Sequence, residues 1–273
     1  MILSMFSLSV NDIIYKYFSF HFPVWESIFF RALSGCVISI FLVLYFGIDK
    51  LKTKKPLGHL IRAFSAAGCV VFYIYGINSL MLSENIAIVH SAPIIAAFLA
   101  VPILGEKIGI LRISAIVIGF IGVLIIVKPG TDFFKYEYIY PLISALFMTS
   151  VYLTTRSIMS TDSSVAIIFY YSFALLITSI IFFPDEFVMP KNNQLIFIIG
   201  LGIMGSFGHL FMSQAAKYAD VAVTSPFEYT SFLFVGLMGF LIFAEVPTFS
   251  IYLGGFIIIG SGIFIAYRER KNN

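Results

Sequence analysis

The sequence predicts an all-α polytopic membrane protein whose ten transmembrane helices form two inverted five-helix repeats. Composition is the first observation: of 273 residues, 60% are hydrophobic and 11% are charged, and the mean hydropathy is +0.99, far outside the range of globular domains. The second observation is that the apolar runs exceed the roughly 10 residues of a barrel strand and lack strand-like alternation, which favours helices. The third is an internal similarity between the two halves of the chain.

Ten apolar stretches are predicted as helices, and charges, prolines and turn-forming residues separate them. In chain order, the helices are Met1–Tyr17, Trp25–Phe46, His59–Leu82, Asn85–Leu104, Ile108–Val127, Tyr138–Arg156, Ser164–Phe183, Gln194–Ala216, Val221–Phe243 and Phe249–Tyr267. The clearest separators are Lys50–Pro56, Lys128–Gly130, Thr161–Ser163, Pro184–Asn193 and Glu245–Pro247. Ten spans of about 20 residues use roughly 200 residues, so no room is left for a soluble catalytic domain. Any activity is therefore expected among the spans.

The basic residues predict the orientation, because lysine and arginine concentrate in cytoplasmic loops. A cytoplasmic N-terminus places 12 of the 17 lysines and arginines on the cytoplasmic side. The other five are Lys16, Arg31, Lys128, Lys135 and Lys191. We therefore predict a multi-pass protein of the cell inner (cytoplasmic) membrane with both termini in the cytoplasm. The cluster at Lys50–Lys55 is interpreted as an anchor to anionic membrane lipids, and no nucleic-acid partner is expected.

The two halves of the chain share residues at a nearly constant offset. The matches, 140 or 139 residues apart, are Lys16 with Arg156, Gly68 with Gly208, Gly122 with Gly262, and Glu106 with Glu245. The chain is therefore predicted to contain two five-helix repeats, at 1–130 and 131–273. Because five is odd, the second repeat enters the membrane from the opposite side, so the repeats are inverted. Inverted repeats are typical of secondary transporters with alternating access; chance alignment of apolar helices is the alternative interpretation.

Several short motifs occur in a characteristic order along the chain. They are Phe30-Arg31, Pro93, Leu104-Gly105-Glu106, Gly119 and Gly122 before Lys128-Pro129, Ser225–Tyr229, Phe243–Pro247, Gly262 and Tyr267–Glu269. With the duplication, these motifs resemble the drug/metabolite transporter superfamily, specifically its EamA-type ten-helix carriers, over essentially the whole chain.

The resemblance implies an inner-membrane carrier of small metabolites, with a central cavity built by helices of both halves. The C-terminal stretch is similar to that of S-adenosylmethionine uptake-type carriers in this family. Relatives usually have a cytoplasmic segment before the first helix, whereas Met1 lies almost inside it here. The resemblance thus leaves open whether Met1 is the natural start.

An acidic residue inside the predicted ninth helix is the leading candidate for substrate binding. Glu228 lies about seven residues, or roughly 10 Å, from the cytoplasmic end of that helix. Ionisable groups at this depth are costly and usually face the bundle interior or a water-filled cavity. Helical spacing places Thr224, Ser225 and Ser231 on the same face, and Tyr229 flanks it.

Two interpretations of Glu228 remain open. In the first, its carboxylate binds a cationic substrate or exchanges a coupling proton. In the second, it forms a structural ion pair with Arg31, His209 or Lys217 that locks the bundle.

The predicted eighth helix carries a similar polar stripe. It contains Ser206, His209, Ser213 and Lys217, with Gln214 beside it. Since the ordinary pKa of histidine is near neutral pH, His209 is interpreted either as a proton relay or as a hydrogen-bonding group between helices. Gln214 is a candidate substrate contact.

Further candidates lie in other helices. In the fourth, His90 is followed by Pro93, which frees a backbone carbonyl that a cavity can use; a tolerated kink without ligand contact is the alternative. Candidate wall residues of the cavity are Tyr75, Asn78 and Tyr152. Asp12 and Lys16 are one helical turn apart and are predicted to neutralise each other.

Motifs of known enzyme classes are missing from the sequence. Gly200, Gly202 and Gly205 fit GxGxxG, but they lie inside an apolar helix, so close helix packing is the preferred interpretation. The sequence has no P-loop, GxSxG or HExxH motif and no Cys/His cluster, so we predict no catalytic residue, metal or cofactor.

The sequence therefore predicts a secondary carrier of a small metabolite, coupled to a proton, another ion or a counter-substrate. A buried carboxylate near tyrosines suits a cationic or ring-bearing metabolite such as S-adenosylmethionine, and amino-acid or drug efflux is the main rival. From a different class, the alternative is an intramembrane enzyme or lipid-handling protein that uses Glu228 and His209 as an acid/base pair.

Overall fold

A computed structural model describes residues 1–104, 110–128, 131, 134–159, 161–183, 187–218 and 225–272. These residues form eleven α-helices: α1 (Ile2–Ser19), α2 (Val24–Phe46), α3 (Pro56–Ser79), α4 (Leu82–Val89), α5 (Ala92–Leu104), α6 (Ile110–Val127), α7 (Ile139–Met159), α8 (Ser164–Ile181), α9 (Asn192–Tyr218), α10 (Thr230–Phe243) and α11 (Phe249–Asn272). Short 3₁₀ helices occupy Ile48–Leu51, Tyr136–Tyr138 and Ser225–Tyr229. The all-α, ten-span prediction is confirmed, because α4 and α5 are two segments of the fourth span.

Length and composition qualify five of the described helical segments to cross a membrane. They are Val24–Phe46, Pro56–Ser79, Tyr136–Thr155, Ser164–Ile181 and Asn192–Met212. Four more apolar segments are shorter, namely Leu82–Ala96, Ile113–Val127, Phe227–Phe243 and Phe249–Ile265.

Two of the predicted helices are interrupted. The predicted helix Asn85–Leu104 is wrong as a single element, because α4 ends at Val89 and α5 begins at Ala92. Pro93 has no N–H to donate to the carbonyl of Val89, which is the physical reason for the break.

The predicted helix Val221–Phe243 is also wrong as a single element. Residues 219–224 lie outside the described part of the chain, a 3₁₀ helix follows at Ser225–Tyr229, and α10 begins only at Thr230. Glu228 therefore does not lie on an α-helical stripe with Ser231, as the sequence predicted.

Contacts between helices follow a symmetric pattern. α1 packs on α9 and α3 on α7, and these pairs exchange when the first five spans are matched with the last five. The same exchange relates α2–α9 to α3–α8 and α1–α10 to α5–α7, whereas α2–α8 and α6–α11 map onto themselves. A pseudo-two-fold relation would produce this pattern. It supports the inverted repeats and the division at residue 130, which remain predictions.

Glycines on α9 allow close approach of α1 and α2. A Cβ added at Gly202 would lie 2.5 Å from Cβ of Ser34, and one added at Gly208 would lie 2.6 Å from Cδ2 of Leu8. These distances are too short for any side chain, so close helix packing explains Gly202 of the GxGxxG pattern and the nearby Gly208. The other two glycines of the pattern are less restricted, because an added Cβ would have its nearest contact at 3.2 Å at Gly200 and at 3.4 Å at Gly205.

The contact between α6 and α11 gives a stability prediction. A Cβ at Gly254 would lie 2.6 Å from the backbone oxygen of Gly122, so Gly254→Ala must push the helices apart. Overpacking of this kind costs about 1–3 kcal/mol, and we expect a lower melting temperature in detergent. Gly260→Ala on the same helix is the control, because its added Cβ meets no atom within 4 Å. Equal melting temperatures for the two variants would contradict the close crossing.

Candidate functional site

Glu228 and four other polar or aromatic residues form a buried group, here called the Glu228 cluster. Its other members are His90, Tyr152, Tyr229 and Ser231. Glu228 is 6% exposed, and its carboxylate accepts a hydrogen bond from the hydroxyl of Tyr152 on α7. The cluster forms where the 3₁₀ helix Ser225–Tyr229 meets the break between α4 and α5. The two interrupted helices thus place side chains of both halves of the chain together.

Hydrogen bonding fixes the orientation of His90. The Ser231 hydroxyl donates to the backbone oxygen of Glu228 at 2.5 Å, so it can only accept from Nε2 of His90, 2.7 Å away. The His90 ring also packs edge-on against Tyr229, with centroids 5.3 Å apart. The Tyr229 hydroxyl is buried and has no hydrogen-bond partner in the described part of the chain. These contacts offer a carboxylate and aromatic faces, which suit a cation or a flat ring.

The proposed ion pair of Glu228 with Arg31 or His209 is wrong. Within the described side chains, neither residue lies within ion-pair distance of Glu228. Instead, Nη2 of Arg31 approaches Nε2 of His209 at 3.4 Å. The side chains of Lys217, Ser213 and Ser225 lie outside the described part of the structure, as does Thr224.

A second polar group surrounds Arg31 on α2. Nη1 of Arg31 donates to Oδ1 of Asn11 at 3.1 Å and to the hydroxyl of Tyr15 at 3.2 Å. The guanidinium carbon also lies 5.4 Å from the ring centre of Tyr15 and 5.8 Å from that of Tyr171. A small cavity between α2, α8 and α9 adjoins this group; the polar residues that line it are Arg31, Tyr171, Ser172, Ser206 and His209.

Three other candidates lie away from both groups. Tyr75 packs against Trp25 and Tyr140, and Asn78 is exposed in the last turn of α3. Gln214 is half-buried on α9. The structure brings His90, Tyr152, Glu228 and Tyr229 into one cluster and places His209 beside Arg31.

The predicted pair of Asp12 with Lys16 is wrong, because each has a partner from a distant part of the chain. Asp12 accepts a hydrogen bond from the Tyr73 hydroxyl at 2.9 Å. Nζ of Lys16 lies 3.1 Å from Oε1 of Glu245. Tertiary partners therefore replace the helical neighbour that sequence spacing suggested.

Lys16 and Glu245 join four helices at one end of the bundle. Lys16 donates to the backbone oxygens of Ile77 at 2.9 Å and Leu80 at 2.7 Å, at the end of α3. Oε2 of Glu245, just after α10, accepts the N–H of Leu82 at the start of α4 at 2.8 Å. One ion pair thus connects α1, α3, α4 and α10. Their matches in the other half, Arg156 and Glu106, lie outside the described side chains.

Asp162 joins two loops at the other end of α3. Its carboxylate accepts hydrogen bonds from Thr53 and from Nε2 of His59, the latter at 2.8 Å. Although burial raises the pKa of Asp162, hydrogen bonds from Thr53, Thr161, His59 and the Lys54 N–H lower it well below its usual range. Both ends of the bundle are therefore tied by buried polar contacts.

The chain is similar to known transporters over almost its whole length. The model of the EamA-like transporter family matches residues 1–128 and 135–267. The S-adenosylmethionine uptake transporter of Rickettsia prowazekii (strain Madrid E) is 27% identical over 99% of this chain and 92% of its own length. The riboflavin transporter of Vibrio cholerae serotype O1 is 27% identical over 82% of this chain and 76% of its own. A solved crystal structure, 13% identical, has a TM-score of 0.69 over 99% of this chain and 98% of that chain, which shows likeness of fold alone.

Proposed function

Because this chain belongs to the EamA-like transporter family of multi-pass membrane proteins, we propose that it carries S-adenosylmethionine across the inner membrane by alternating access. It is a transporter of a small molecule and not an enzyme. The single observation that supports the substrate class is the Glu228 cluster, a buried carboxylate beside three aromatic rings. S-adenosylmethionine carries a sulfonium cation and a purine ring, which a carboxylate and aromatic faces can bind.

Polar contacts at the two ends of the helix bundle support the alternating-access mechanism. The Glu228 cluster lies at the breaks of two helices, and irregular backbone inside a membrane is tolerated where it is buried in protein or lines a cavity. Alternating access requires each end of the bundle to open in turn. We propose that the Lys16–Glu245 contact separates when its end opens, and that the contacts of Asp162 hold the other end.

Direct uptake measurements test the substrate. Purified protein in proteoliposomes should accumulate labelled S-adenosylmethionine, and unlabelled S-adenosylmethionine inside should accelerate entry if the carrier exchanges substrates. Riboflavin, amino acids and cationic drugs form the comparison panel. Faster transport of any of these than of S-adenosylmethionine would show that the proposed substrate is wrong, and outward drug or amino-acid transport would favour the efflux alternative.

The orientation gives a separate prediction. A cysteine at Lys54, between α2 and α3, should be protected from an impermeant thiol reagent in intact cells, because the basic loops are expected in the cytoplasm. A cysteine at the exposed Tyr136, between α6 and α7, is the matched control and should react. The free thiols of Cys36 and Cys69 are replaced first. Labelling at position 54 and protection at 136 would reverse the orientation.

A further inference from the structure

The cavity between α2, α8 and α9 contains polar groups that the Glu228 cluster does not use. Tyr171 is only 5% exposed, and its hydroxyl has no hydrogen-bond partner among the residues that the structure describes. A buried hydroxyl without a partner is costly, and a ligand can supply the missing bond. Ser172 of α8 and Ser206 of α9 line the same cavity.

Arg31 also lines this cavity, and one edge of its guanidinium is available to a ligand. Nη1 is occupied by Asn11 and Tyr15, whereas no hydrogen bond to Nε is recorded among the described residues. A Cβ added at Gly205 would lie 3.6 Å from Nη2 and 3.7 Å from Nε of Arg31. The missing side chain at residue 205 therefore leaves an atom-sized gap beside the Nε–Nη2 edge, and an alanine there would fill that gap. This edge of a guanidinium can bind a carboxylate through two hydrogen bonds.

The carboxylate of Asp12 is near enough to interact electrostatically with Arg31, but it does not form an ion pair with it. Among the described side chains, no acidic group lies within ion-pair distance of Arg31, and Asp12 is bonded to Tyr73 instead. The aromatic rings of Tyr15 and Tyr171 only partly compensate for a buried cation. A negatively charged ligand group would complete this site.

We propose that Arg31, Tyr171 and His209 form a carboxylate subsite, so that the carrier selects substrates with an α-carboxylate in addition to a cationic or ring-bearing part. The inference rests on the proposed function, because the Glu228 cluster binds the other part of the same molecule. Arg31 donates through Nε and Nη2, Tyr171 donates its hydroxyl, and His209 positions Nη2. Riboflavin has no carboxylate, so a carrier with this subsite is expected to discriminate against it.

Paired substrates test the subsite. In proteoliposomes, wild-type protein should prefer S-adenosylmethionine over its decarboxylated form by at least about tenfold, as expected for a charge-assisted contact. Tyr171→Phe and Gly205→Ala should reduce that preference by slowing uptake of S-adenosylmethionine alone. Both variants should fold, because Tyr171 loses no partner and the new Cβ at position 205 has its nearest contact at 3.4 Å. Tyr45→Phe, at a tyrosine 77% exposed on α2, is the control.

A second measurement is independent of S-adenosylmethionine. Melting temperatures of the purified protein are measured in the presence of tryptophan or tryptamine, and of phenylalanine or phenethylamine. In each pair, the amine is the amino acid without its carboxylate. The acids should stabilise the wild type more than the amines, and Tyr171→Phe should remove the difference. Failure of S-adenosylmethionine uptake with a retained acid preference would overturn only the proposed substrate. The subsite is wrong if no acid stabilises more than its amine, or if the preference survives in both variants.

Discussion

Transport by the Glu228→Gln variant is expected to fall about 10- to 100-fold, because a charged hydrogen-bonding partner contributes about 1.5–3 kcal/mol. The melting temperature should stay close to that of the wild type. Glutamine keeps an oxygen that accepts the Tyr152 hydroxyl, and a neutral amide is cheaper to bury than a carboxylate. The change therefore separates binding from stability.

The remaining structural alternative, an ion pair of Glu228 with Lys217, predicts a different outcome. Removing one member of a buried pair costs about 3–5 kcal/mol and would lower the melting temperature and expression together with activity. Glu137→Gln, at an exposed loop position, controls for loss of an acidic side chain. Normal transport by a well-folded Glu228→Gln variant at two pH values would remove Glu228 from the mechanism.

A substrate analogue tests which chemical group of the substrate Glu228 recognises. S-adenosylhomocysteine has the same purine and amino-acid parts but a neutral thioether in place of the sulfonium. If Glu228 balances the sulfonium charge, the wild type should discriminate between the two, and Glu228→Gln should lose that discrimination. A variant that slows transport of both compounds equally would instead indicate proton exchange at the carboxylate.

Individual helices were predictable because an apolar span leaves few alternatives in a bilayer. Each of the ten predicted spans has a counterpart, with shifted ends such as Ile2–Ser19 in place of Met1–Tyr17. The breaks were not predicted, although Pro93 gave a local signal for one. The 3₁₀ helix at Ser225–Tyr229 depends on packing against distant helices, which spacing along the sequence does not show.

Candidate residues were predictable one by one, but their partners were not. Glu228 and Tyr152 were both identified as polar groups in apolar segments, yet 76 residues separate them and no local pattern connects them. Sequence spacing suggested Asp12 as the ion-pair partner of Lys16, whereas in the folded protein the partner is Glu245. Arg31 was noted as a family motif, and its depth in an apolar helix was the signal that it belongs to a site.

The Lys16–Glu245 contact leads to the second large effect. In Glu245→Gln, the buried lysine loses its carboxylate and the ties between α1, α3, α4 and α10 weaken. Breaking a buried ion pair costs about 3–5 kcal/mol, so this end of the bundle should no longer close fully. Because alternating access requires one end to be closed at a time, we expect at least a tenfold loss of concentrative transport. The double variant Lys16→Met with Glu245→Gln should regain part of the stability, since no unpaired charge remains.

The Lys16–Glu245 contact is either a gate, which separates during transport, or a permanent structural contact. The two possibilities differ in whether loss of the contact opens the pathway. Ser91 lies in the break between α4 and α5, next to the Glu228 cluster, and is only 1% exposed. In a background without Cys36 and Cys69, a cysteine at Ser91 should react with an impermeant thiol reagent from the Lys16 side faster in Glu245→Gln than with Glu245 intact. S-adenosylmethionine should change the rate when Glu245 is present and have little effect in the variant. If the contact is a permanent structural one, the variant lowers the melting temperature without increasing labelling, and closure of this end must then depend on other contacts.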